Sequence, residues 1–157
     1  MKIFCCPVCG QPLTFAEKEA FCPGGHRFDR ARQGYFNLLQ SQASAARRHG
    51  DDRLMVEART RFLEQGFYEP LRSCLAELAV QYAPSPCAVL DAGCGEGYYT
   101  QGIAQALADA GKAPHIAAID ISRDSAKAVA RPPFAKQAVV ASAFRLPVLP
   151  ESCDLIL

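Results

Sequence analysis

Apolar and polar positions along the chain change period near residue 84, and that change divides it. Beyond it, Ala88-Val89-Leu90 is a short apolar run closed by Asp91, the pattern of a strand buried on both faces. His115-Ile116-Ala117-Ala118-Ile119-Asp120 predicts a second strand that also ends in an acid. Gln137 to Ala141 predicts a third, and the apolar end Leu155-Ile156-Leu157 a fourth. Between the first two, Ile103, Ala104, Leu107 and Ala108 fall on one side of a helix that stops at Gly111. A shorter helix runs to Arg131, where Pro132-Pro133 breaks it. Strands alternating with helices predict an α/β fold with a Rossmann-like parallel sheet over residues 84–157.

Before residue 84 the period is helical. From Asp51-Asp52, suited to an N-cap, Met55, Arg59, Phe62 and Leu63 make one stripe that runs to Gly66. A second helix starts near Pro70 and turns Leu71, Cys74, Leu75, Leu78, Ala79 and Tyr82 to one side, until Pro84 stops it. Residues 41–83 thus read as a linker and helical connector, the linker being the polar Ser41 to Gly50 with Arg47 and Arg48 inside it. Residues 1–40 read as a small module; from Phe28-Asp29 to Leu39 they show no regular period.

With 157 residues, half of them hydrophobic, the chain can bury a real core. Its net charge of +1 excludes a global pull toward nucleic acid or membrane. Between Arg27 and Arg61, eight arginines stand against four acids, which suits phosphate contacts and equally suits a solvated charged face. Eight cysteines, no leader-like segment and no apolar run of membrane length predict a reducing, cytoplasmic setting. Thiols there read better as metal ligands than as disulfides.

Cys6-Pro7-Val8-Cys9 and Cys22-Pro23-Gly24-Gly25-His26 are two ligand pairs set in tight-turn residues. Three thiolates and one imidazole make a closed tetrahedral zinc site, structural because no position remains for water. Cys5 stands outside the better spacing of Cys6 and Cys9. So short a segment needs such a staple to fold.

After the first strand, Gly93, Gly95 and Gly97 alternate with Ala92, Cys94 and Glu96. Such a loop, at the carboxyl end of a first strand, lets a nucleotide-type cofactor lie against main chain. A dinucleotide fingerprint would need glycine at Tyr98 or Thr100, and a P-loop would need Gly-Lys-Ser/Thr; neither is present. Asp120, 23 positions beyond Gly97, lies about where an acid meets ribose hydroxyls.

The run Asp91-x-Gly93-x-Gly95-x-Gly97 resembles motif I of the class I S-adenosylmethionine-dependent methyltransferases. Taken with Cys6-Pro7-x-Cys9, Cys22-x-x-x-His26, Gly34-Tyr35-x-Asn37-Leu38-Leu39, Gly66-x-Tyr68-x-Pro70-Leu71 and Gly93-Cys94-Gly95-Glu96-Gly97-Tyr98-Tyr99-Thr100, it resembles the bacterial 23S rRNA guanine-N1 methyltransferases over essentially the whole chain. The resemblance implies a zinc module that helps hold an rRNA hairpin, ahead of a catalytic domain using S-adenosylmethionine, with no DNA or membrane partner. It implies that Tyr68, Tyr99 and Thr100 join Asp91, Gly93, Gly95, Gly97 and Asp120 at the cofactor, and that Ser142 and Ala143 approach the adenine. No residue is assigned as the base for the guanine N1 proton; the resemblance puts it in the loop after the fourth strand. Family members continue further, so a chain of this length is expected to be an incomplete, inactive fragment with about four strands, an open edge at Leu155 to Leu157 and a tendency to self-associate, for example as a homodimer. A zinc-ribbon RNA-binding module with a vestigial cofactor fold is the competing expectation.

Overall fold

The computed structural model describes residues 1–40, 50–131 and 133–157. Three short strands, β1 (Thr14–Phe15), β2 (Glu19–Phe21) and β3 (Arg27–Asp29), form an antiparallel sheet in that order. A five-stranded sheet follows from β4 (Phe36–Asn37), β5 (Cys87–Ala92), β6 (Pro114–Asp120), β7 (Gln137–Val140) and β8 (Leu155–Ile156). Its order is β4-β7-β6-β5-β8 and every pairing is parallel.

The four expected strands are β5 to β8, with the first central and the fourth alone on its far side. The fifth is a correction. Phe36 pairs with Val139 and Asn37 with Val140, and the Leu38 amide donates to the Val140 carbonyl at 3.0 Å. The segment looks aperiodic in sequence because both of its faces are apolar. Phe36 and Leu38 join the core on one side of the sheet, while Tyr35 and Leu39 pack with Ala126 and Val129 on the other.

Helices α1 (Arg53–Leu63), α2 (Glu69–Tyr82), α3 (Tyr98–Asp109) and α4 (Arg123–Ala130) complete the described elements. Asp52 caps α1, its carboxylate accepting from the Met55 amide at 3.0 Å, and Ser122 caps α4. The predicted stripe of α1 is partly wrong: Val56 and Leu63 are buried, whereas Met55 and Phe62 are exposed. On α2 the buried residues are Ala76 and Ala79, with Leu75 and Val80 half-covered, while Leu71, Cys74, Leu78 and Tyr82 face outward. The small residues let α2 lie close against α3, so the larger side chains one step around the helix are turned away. On α3, Ile103, Ala104 and Leu107 are buried as expected and Ala108 is exposed. Among the described residues no helix is long and apolar enough to cross a membrane.

The two faces of the sheet are covered differently. Cys87, Val89 and Ile116 pack with α2 and α3, and Ala118, Ala138 and Val140 with α4. The alternate residues, Leu90, Ala117, Ile119 and Val139, meet Ile3, Phe4, Leu13 and Phe36 instead. The N-terminal module thus takes the place that helices hold in a doubly wound sheet. Phe4 and Phe15, with ring centroids 5.5 Å apart, sit in this shared core, and an isolated bridge joins Phe4 to Val148.

Candidate cofactor and metal sites

Cys6, Cys9, Cys22 and His26 converge so that their ligand atoms all lie within 4.8 Å of one another. The Cys9 and Cys22 sulfurs are 3.6 Å apart, and Cys22 Sγ is 3.4 Å from His26 Nδ1. Tetrahedral zinc, with bonds of about 2.0–2.3 Å, spaces its ligands by about 3.3–3.8 Å, so the set fits the ion. Two glycine turns build it. The Gly10 amide closes the first knuckle on the Cys6 carbonyl at 2.8 Å, and the Gly25 amide closes the second on the Cys22 carbonyl at 3.0 Å. Both glycines hold positive φ, +73° and +82°. Burial would raise the Cys22 thiol, yet hydrogen bonds from His26 and the neighbouring thiols outweigh it and hold the value at about 6. Cys5 lies outside this group; its backbone pairs with Pro12 and its amide donates to the Pro147 carbonyl.

The second site lies at the carboxyl ends of β5 and β6. Gly93, Gly95 and Gly97 all have positive φ, and the amides of Gly93 and Cys94 both donate to the Ile119 carbonyl, at 2.8 and 3.0 Å. Asp120 holds the same loop: its Oδ2 accepts from the Gly95 amide at 3.0 Å and its Oδ1 from the Ser122 amide at 2.7 Å. Asp91 is buried and accepts from Thr100 Oγ1 at 2.5 Å, which ties the strand to the first turn of α3. Burial pushes the Asp91 carboxyl up, and the charges of Asp120 and Glu96 add to that against the Thr100 hydrogen bond. Glu96 is raised by its own burial, with Arg59 opposing. A loop ringed by three acids favours a ligand that brings positive charge and hydroxyl donors.

The three glycines face different surroundings. A Cβ on Gly93 would meet nothing within 4 Å, so that face of the loop is open. On Gly95 it would meet only Arg59 Nη1, at 3.6 Å. On Gly97 it would lie 2.9 Å from Phe134 and 3.0 Å from Val129, so this glycine serves internal packing. A cleft of about 910 Å³ opens on that back side, bounded by α1, α2, α3 and α4 and lined by Val56, Leu63, Glu96, Gly97, Tyr98 and Phe134 among others. Gly93, Asp120 and Ser142 are not in its lining, so this cleft lies beside the loop's open face without including it.

Tyr68 precedes α2 and is 42% exposed, close enough to Tyr99 for its charge to help burial raise the Tyr99 phenol. Ser142 and Ala143 follow β7 beside Asp120, whose carbonyl accepts from the Ala141 amide at 3.1 Å. The Ser142 hydroxyl accepts from the Phe144 amide and starts a turn of 3-10 helix, while Ala143 is exposed. Sequence reasoning missed the clamp formed by the connector. Ser122 Oγ donates to the Asp51 carbonyl at 2.5 Å, Arg59 pairs with Asp51 at 2.6 Å, and the Arg59 guanidinium reaches the glycine loop. Only Arg59's place on the α1 stripe hinted at this.

Of the arginines expected to meet RNA, Arg27 pairs with Glu19 at 2.6 Å, and Arg30 donates to the Gly34 and Glu17 carbonyls. Arg32 is exposed beside Lys18 and Arg131 in an open cleft of about 640 Å³ between the zinc module and α4. Arg47 and Arg48 lie outside the described residues.

A parallel sheet with a glycine loop and two strand-end acids, joined to a four-ligand metal knuckle, defines a methyltransferase domain that carries a zinc ribbon. Comparison with known proteins agrees: residues 4–47 match the family described as RlmA, N-terminal, and residues 90–157 match the methyltransferase domain family. The two matches place an RlmA-type N-terminal zinc ribbon ahead of a methyltransferase domain. The chain is similar to a protein of Micromonospora griseorubida provisionally named 23S rRNA (guanine-N(1)-)-methyltransferase, 36% identical over 91% of this chain and 52% of that protein. It is also similar to the 23S rRNA (guanine(748)-N(1))-methyltransferase of Streptomyces fradiae, 38% identical over 67% of this chain and 37% of that protein. The chain thus spans about half the length, or less, of these relatives.

Proposed function

We propose that the chain belongs to an enzyme that methylates N1 of a guanine in a 23S rRNA hairpin, with S-adenosylmethionine as donor and a structural zinc in the N-terminal module. The observation that carries this reading is the joining of the two sites: the zinc ribbon covers one face of the sheet whose strand ends form the cofactor loop. The eight cysteines, all free, suit the reducing cytoplasm where rRNA is modified.

In this reading the cofactor backs onto Gly93 and Gly95, and Asp120 takes the ribose hydroxyls while still holding the Gly95 amide. Asp91 and Thr100 act beneath the loop by fixing its exit into α3. Tyr68 and Tyr99 flank the cofactor on the connector side, and Ser142 and Ala143 border its adenine. S-adenosylmethionine supplies a methyl group on a sulfonium, an excellent leaving group; the carbon–sulfur bond would break as the bond to N1 forms and the N1 proton leaves to a base or to solvent, so the protein's task is alignment and exclusion of bulk water. Phosphates of the hairpin meet Arg32, Lys18 and Arg131 beside the zinc module.

Methylation at N1 blocks the pairing edge of guanine, so reverse transcriptase halts there. Deleting the gene from its source should abolish one such stop in 23S rRNA, and restoring it should bring the stop back. An unchanged pattern of stops would overturn the proposal. For the cofactor site, Asp120→Ala should weaken S-adenosylmethionine binding by about 1.5–3 kcal/mol, the value of a hydrogen bond to a charged group. Calorimetry reads this directly, and equal affinity in the variant would remove Asp120 from the site.

A further inference from the structure

The turn between α1 and α2 carries an aromatic cluster that none of the three core clusters includes. Phe62 and Phe67 lie with ring centroids 5.9 Å apart, and Phe62 and Tyr68 at the same distance, nearly edge-on. Phe67 is 70% exposed and Phe62 46%. Gly66, at φ +84° with nothing within 4 Å of a Cβ, lets the chain reverse and hold Phe67 outward. The turn is rigid. The amides of Gln65, Gly66 and Glu69 donate to the carbonyls of Phe62, Leu63 and Gly66 at 3.0–3.2 Å. Exposed rings on a pre-formed turn lose little freedom when something stacks on them.

Position matters as much as exposure. Glu69, next to Tyr68, accepts from the Tyr98 hydroxyl at 3.0 Å; Tyr98 packs edge-on against Tyr99 at 5.2 Å, and the Arg72 guanidinium lies 4.7 Å from the Tyr98 ring centre. The rings therefore run from the surface to the first turn of the helix that leaves the glycine loop. Beside the turn Arg72 is paired with Glu69, and Arg61 and Glu64 flank Phe62-Leu63 with opposite charges, so the patch offers ring faces more than attraction for a phosphate backbone.

We propose that Phe62 and Phe67 form a stacking platform for unpaired bases of the RNA loop that contains the target guanine, a claim that rests on the function proposed above. Nucleobases taken out of a helix are held mainly by stacking on aromatic side chains. A platform beside the cofactor loop would keep the loop open while the zinc module holds the stem.

The test uses this chain with zinc bound and two RNA probes: a 23S rRNA hairpin carrying 2-aminopurine at unpaired loop positions, and a fully paired duplex of the same stem. Wild type should prefer the hairpin and quench its 2-aminopurine. Phe67→Ala should weaken hairpin binding by about tenfold or more and abolish the quench. Duplex and S-adenosylmethionine affinity, and the melting temperature, should not change. Phe67→Trp should retain both hairpin binding and quench. A Phe67→Ala protein that keeps preference and quench overturns the platform and leaves the methyltransferase reading standing. A wild-type protein that binds neither RNA overturns both. Loss of self-association in Phe67→Ala, with RNA binding intact, would assign the patch to a protein contact and overturn the platform.

Discussion

Stripping zinc from this chain is expected to unfold its N-terminal module and to uncover one whole face of the large sheet. Structural zinc contributes about 10–16 kcal/mol to the folding of small zinc modules, more than most domains have in total. Here the loss would spread. Ile3, Phe4 and Leu13 are at most 2% exposed and share a core with Leu90 and Ile119, and burial of each such side chain is worth about 1.5–3 kcal/mol. Chelator treatment, or Cys9→Ser, should therefore lower and broaden the melt followed by circular dichroism and weaken S-adenosylmethionine binding at a site that holds no zinc ligand. A melt and a cofactor affinity both unaffected by chelation would disprove the shared core. Acid should mimic the chelator. The ligand thiols hold zinc only as thiolates, so zinc affinity, and the folding energy it contributes, falls as pH is lowered.

The second large effect should separate two glycines that look alike in sequence. Gly97→Val adds a branched side chain at φ +91° with its Cβ 2.9 Å from Phe134 and 3.0 Å from Val129. Backbone strain of about 1–3 kcal/mol and overpacking of about 1–3 kcal/mol together remove a large share of a typical domain's stability. Gly93→Ala has φ +119° but nothing within 4 Å of its Cβ, so it carries only the strain. Its methyl enters the open face where the cofactor is proposed to lie. Gly97→Val should thus melt well below wild type, whereas Gly93→Ala should lose cofactor affinity out of proportion to its modest loss of stability. Calorimetry and thermal melts on the two variants decide it. Equal melting temperatures, or wild-type affinity in Gly93→Ala, would refute the assignment of the two faces.

What the sequence made legible follows from what is local. Strands β5 and β6 are continuous apolar runs closed by acids, and the zinc ligands come in pairs whose turns are written in proline and glycine, so both could be read directly. The carboxyl-end placement of the glycine loop followed from the alternation of strand and helix. Contacts between distant segments could not be read. Phe36 gives no sign that it extends a sheet built a hundred positions later, because a strand buried on both faces by different neighbours shows no period. The same reason hid the true faces of α1 and α2: two rotations of an amphipathic helix are nearly equal in sequence, and α2 chose alanines because they allow the closer approach to α3. Arg59 reaches the glycine loop from a connector that Ser122 ties down through the Asp51 carbonyl.

The pairing of β4 with β7 fixes more than an edge. Joined by a strand ladder and by side chains interlocked across a common core, the metal-ligand cluster is held at a set offset from Gly93. Such a body works as a caliper. Under the proposed function, an RNA gripped at the zinc end would be presented to the loop at a set span and angle, and a stem one base pair longer or shorter would bring a different nucleotide to the jaw. Discrimination among hairpins would then rest on length and bend before any base is read.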